Sequence, residues 1–215
     1  MSSNVLTLDG RDALLDLNRL VKKPLMVKEK NLFVKIFFPK RVTVSLYNTI
    51  QVPEGKQIGE STIFHEFQHY VDRCDLVDGE YQTSFMKSTW WYVKYLFPHI
   101  LASFSLFSLL AIPFSMWFLT ALSFLIFAYP FTSMSTFRRN MEMRGYFWTS
   151  MFTTGVDYSN IFGGKLYWYM DYKKNNVFYL KLFSGMLDVN VYDPNDNMSE
   201  IYKVYTSHRI RKDTN

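Results

Sequence analysis

The residues best suited to chemistry lie together at His65-Glu66-Phe67-Gln68-His69, an HExxH pattern. On a helix, residues four apart stand one turn above each other, so both imidazoles leave the same face at a spacing that suits a tetrahedral metal. Glu66, one residue on, is placed to take a proton from a metal-bound water. The chemistry this implies is metal-assisted hydrolysis of an amide. The bland alternative is two surface histidines around an ordinary glutamate.

A catalytic zinc takes three protein ligands and a water, so a third donor is needed. Asp72 follows His69 by three residues on the same face and could bond an imidazole, but as a direct ligand its short side chain would have to reach a full turn. His99 follows Pro98 at the border of an apolar run, and His208 lies in a basic tail where solvation is expected. Glu142 is the strongest candidate, because Gly145 three residues later would let its helix approach the motif helix closely. Tyr146 lies one turn from Glu142. Its expected role is either core packing or a hydroxyl that orients Glu142 or steadies an oxyanion.

These side chains need elements to hold them. Ile63, Phe64, Phe67, Val71 and Cys74 form an apolar face over 60–74, with Ser61 as a candidate N-cap. The motif therefore sits on an amphipathic helix, with its histidines on the opposite face. Before it, 32–38, 42–46 and 48–52 read as β-rich runs broken by Pro39-Lys-Arg and Pro53-Glu-Gly, which predicts a small antiparallel sheet. A short helix is expected within 1–24, ending before Pro24, and a loop at 75–80. Further helices are expected at 84–96 and 137–152. Residues 157–192 are aromatic and punctuated by glycine, and the last twenty-odd are polar.

Composition bounds the rest. The chain has 215 residues, 48% of them hydrophobic and 20% charged, which suits one domain of α+β class and excludes a disordered chain. The net charge is +5, with basic clusters at 19–41 and 203–212. No nucleic-acid-binding motif accompanies them, so a solvated basic surface is the expectation and nucleic acid is not an expected partner. Cys74 is the single cysteine, so neither an intrachain disulfide nor a thiolate zinc cluster is possible. The opening residues lack a basic stretch followed by an apolar one, so a cleaved signal peptide is not expected and the cytoplasm, a membrane surface or a phage particle is.

Residues 100–130 carry no charge. One membrane crossing there would put Glu142 on the far side from the histidines. Split near Pro113, the halves are short for a ~30 Å hydrocarbon core, so an inserted helical hairpin against a membrane or a hydrophobic protein is expected.

Taken together, 49–53, His65 to His69, the aromatic 90–98 and the R-x-x-x-E-x-x-G-Y pattern of 138–146 resemble the gluzincin-like metallopeptidases, within them the small metallopeptidases of bacteria and their phages. The resemblance covers roughly 40–170. It implies zinc held by His65, His69 and Glu142, Glu66 as general base, and a peptide or protein substrate. The long uncharged stretch departs from the family's compact pattern. Two further readings are a catalytically silent component of a membrane complex or phage particle, and a membrane-active protein in which the motif is incidental.

Overall fold

In the computed structural model the residues described are 5–37, 43–95, 133–153 and 196–214. Among them the chain is α+β: helices with two small sheets. The expected hairpin at 100–130, His99, and the aromatic segment 157–192 lie outside the described residues.

Helix α1 (Leu8–Leu17) starts at Thr7, whose hydroxyl accepts from Gly10 N at 3.1 Å. This satisfies one of the amide donors that a helix start leaves over. Its Ala13, Leu14 and Leu17 are fully buried. A side chain at residue 10 would come within 2.7 Å of the Ile58 carbonyl oxygen, so only glycine permits this approach. After a 3₁₀ turn (Asn18–Leu20), Asn18 bonds both the amide (2.8 Å) and the carbonyl (3.1 Å) of Leu25 and closes the loop through Pro24.

Strand β1 (Met26–Glu29) then pairs parallel with β3 (Thr49–Val52), and β2 (Val44–Leu46) pairs antiparallel with β3 on its other side. The sheet, ordered β1-β3-β2, is therefore mixed and not antiparallel as expected. The run 32–37, read as a strand, is helix α2 (Leu32–Phe37). An unbroken apolar run fits either period. Here Asn31 decides the matter by accepting from Val34 N at 2.9 Å, an N-cap bond that commits the chain to a helical turn.

Helix α3 (Glu60–Val71) follows, with Gly59 at its N-cap rather than Ser61. Ile63, Phe64, Phe67, Tyr70 and Val71 are fully buried, each of the aliphatic and Phe side chains contributing about 1.5–3 kcal/mol. The loop expected at 75–80 is instead a hairpin, β4 (Asp75–Val77) with β5 (Glu80–Gln82). Its two turn residues, Asp78 and Gly79, both have positive φ, 53° and 80°, as a two-residue hairpin turn demands. Residues 85–95 form helix α4. Two long helices complete the described chain, α5 (Ser133–Phe152) and α6 (Asn197–Thr214).

Contacts divide the chain into two compact units, one of residues 1–88, 143–156 and 180–215 and one of 89–142 and 157–179. In the first, Trp148 is fully buried among Phe64, Phe147 and Tyr205. In the second, Trp91 stacks on Tyr95 at 4.7 Å and meets Phe137 edge-on at 6.0 Å.

Candidate metal centre

The buried face of α3 fixes where its other side points. His65, Glu66 and His69 stand on that other side, and Glu66 and His69 are themselves buried. The two histidines turn their Nε2 atoms toward each other at 3.2 Å. Two nitrogens bound to one tetrahedral zinc at about 2.0–2.1 Å each lie about 3.3 Å apart, so the pair already has the separation a zinc ion requires. The other nitrogen of His65, Nδ1, is 3.1 Å from the Thr149 hydroxyl. With Nδ1–H donating there, Nε2 carries the lone pair that a metal takes, and the ring is oriented for it. Burial pushes the His65 imidazole down to about 4, so it is neutral at pH 7, the form that ligates.

Helix α5 closes over this face because residue 145 is glycine. A Cβ there would lie 2.7 Å from His65 Nε2 and 2.9 Å from both Cδ2 and Cε1. One residue on, the Tyr146 ring meets the His65 ring edge-on at 4.8 Å. Gly145, Tyr146 and Thr149 together seat α5 on the imidazole, and Glu142 lies one turn earlier on the same helix. Glu142 is 4% exposed, and one of its carboxylate oxygens lies within 4.8 Å of the ligand nitrogens of both His65 and His69. The Tyr95 hydroxyl donates to Glu142 Oε1.

Asp72 does not bond an imidazole, as its place on α3 suggested it could. Its Oδ1 accepts from Gln68 Nε2 (2.8 Å), Arg144 Nε (3.1 Å) and Asn197 Nδ2 (3.1 Å). Arg144 also forms a bidentate pair with Asp196, at 3.0 and 2.8 Å, and Trp148 Nε1 donates to Gln68 Oε1 at 2.8 Å. This network locks α3, α5 and the start of α6 behind the histidines. Sequence reasoning missed it, although Gln68 inside the motif is the one polar residue there with no catalytic task, and it is fully buried.

His208 is not solvated in the tail. It is 4% exposed, with Nδ1 3.0 Å from Asp16 Oδ2 and Nε2 3.1 Å from Glu60 Oε2. The reason is that α6 packs along α1 and α3, where these two carboxylates await it. His208 thus ties the start of α3 to both termini and stands apart from the His65 cluster.

Two imidazole nitrogens and a buried carboxylate form a borderline donor set that suits zinc and other divalent transition ions. Among the described residues this is the one group of three such donors close enough to share an ion. Comparison with protein-family models, with curated proteins and with solved structures found no match to this chain.

Proposed function

We propose that the chain is a zinc-dependent peptidase built on a zincin-like arrangement, with His65, His69 and Glu142 as the zinc ligands and Glu66 as the general base. The observation that carries this reading is the 3.2 Å separation of the two Nε2 atoms on α3, the helix that also bears Glu66, with the Glu142 carboxylate of α5 within 4.8 Å of both. A zinc ion bound there would lower the pKa of its water and polarise the scissile carbonyl.

Glu66 then takes a proton from the attacking water and passes it to the leaving amine. Being buried, its carboxylate is shielded from bulk solvent, which strengthens its interaction with the charge that develops beside it. Thr149 holds the His65 ring. Tyr146, whose ring meets that of His65 edge-on, would offer its hydroxyl to the developing oxyanion. A purely structural site would have no use for the glutamate base, which favours an active enzyme over a silent scaffold.

Elemental analysis of protein purified without chelator tests the metal. About one zinc per chain is expected, and less than about a tenth of an equivalent after zinc is added back would overturn the proposal.

A further inference from the structure

A carboxylate that serves as a metal ligand can offer one oxygen or two, and the choice sets the coordination number. Glu142 stands on α5, where rotation about its side-chain bonds would allow either. Its Oε1, however, accepts the hydroxyl proton of Tyr95. Tyr95 is not a loose partner, because its ring stacks on Trp91 at 4.7 Å, 13° from parallel. Trp91 is 7% exposed and is braced in turn by Phe137, one turn before Met141 on the helix that carries Glu142. The hydroxyl is thus positioned by an aromatic stack, with few rotamers to lose when it engages the carboxylate.

We infer that Tyr95 is a positioning residue for the metal centre: it occupies one oxygen of Glu142 and so makes that residue a single-oxygen ligand. The inference rests on the reading of His65, His69 and Glu142 as zinc ligands. A single-oxygen Glu142 completes three protein donors and leaves the fourth position of a tetrahedral ion to water. The hydrogen bond also disperses charge on the carboxylate, as partners of metal ligands do, and fixes its direction. Thr149 acts in the same way on His65, by holding its Nδ1.

The test compares wild type with Tyr95→Phe, which keeps the ring and its stack on Trp91. Zinc affinity is measured by competition with a chromophoric chelator, visible absorption on the cobalt(II)-loaded proteins, and thermal melting on the metal-free ones. The zinc Kd of the variant should rise about tenfold or more. Its cobalt d–d bands should weaken as Glu142 turns both oxygens to the metal, and the metal-free melting temperature should stay within about 2 °C of wild type. A variant with wild-type affinity and spectrum overturns the inference while leaving the zinc site standing. Affinity lost together with metal-free stability gives the hydroxyl a purely structural role and also overturns it. A wild-type protein that takes up neither metal refutes the zinc site, and this inference with it.

Discussion

Replacing Gly145 by alanine separates the metal site from the stability of the fold. The added methyl would lie 2.7 Å from His65 Nε2, whereas ordinary contact begins at 3.4 Å. The imidazole, or the helix, must therefore give way by about 0.7 Å. The ring is the softer of the two, since α5 is tied down through Arg144 and Trp148. Metal sites tolerate only about ±0.2 Å in ligand distance, so a displaced His65 loses its ligating geometry. Its bond to Thr149 holds Nδ1 and opposes a compensating rotation. Zinc affinity should fall about tenfold to a hundredfold, equivalent to about 1.4–2.8 kcal/mol. Without metal the balance differs: alanine gains up to about 1 kcal/mol of helix propensity, which offsets the cost of moving one ring. The metal-free variant should then melt close to wild type. Chelator competition and melting in excess chelator give the two numbers. An alanine variant that binds zinc as tightly as wild type would refute the placement of α5 against His65.

Other outcomes follow from the same geometry. Arg144→Met strips the partner from Asp72 and Asp196 and should destabilise the protein by about 3–5 kcal/mol in chemical denaturation. Little change would mean that the lock behind α3 does not form. Glu142→Ala should weaken zinc binding by about a hundredfold or more. Asp72→Ala, which touches no ligand, should lower stability and leave the affinity of the folded protein nearly unchanged. Burial pushes the Cys74 thiol up from 9.0 to about 12. At pH 8 this leaves about a thousandfold less thiolate than in the unfolded chain. Alkylation of the native protein should be slow to match and should climb about tenfold per pH unit up to pH 10. A plateau near pH 9 would show an ordinary, solvated thiol.

The parts legible in the sequence were those written in short-range spacing. The motif helix announced itself through Phe64, Phe67 and Val71 on one face and His65 and His69 on the other. Gly145, three residues after Glu142, marked where a second helix could come close, and it lies against His65. The parts that escaped were decided by partners far along the chain. Met26–Glu29 carries a lysine and a glutamate and has no apolar alternation, and becomes a strand because β3 lies beside it. Asn31 turned an apolar run into α2 with one side-chain bond. Asp72 looked like a companion to the imidazoles because Arg144 and Asn197, 72 and 125 residues away, could not be seen from its neighbourhood. His208 and its carboxylates are separated by 192 and 148 residues, and a basic helix read alone gives no sign of a buried face.

The central claim, that Glu66 activates a water held by the His65, His69 and Glu142 site, is tested most directly by comparing hydrolysis of a quenched-fluorescent peptide library by zinc-loaded wild type and zinc-loaded Glu66→Gln. The account predicts that both proteins hold about one zinc and that the variant loses about a hundredfold to ten-thousandfold in rate. Equal cleavage by the two proteins would contradict it, as would a wild type that carries the zinc and cleaves nothing in the library.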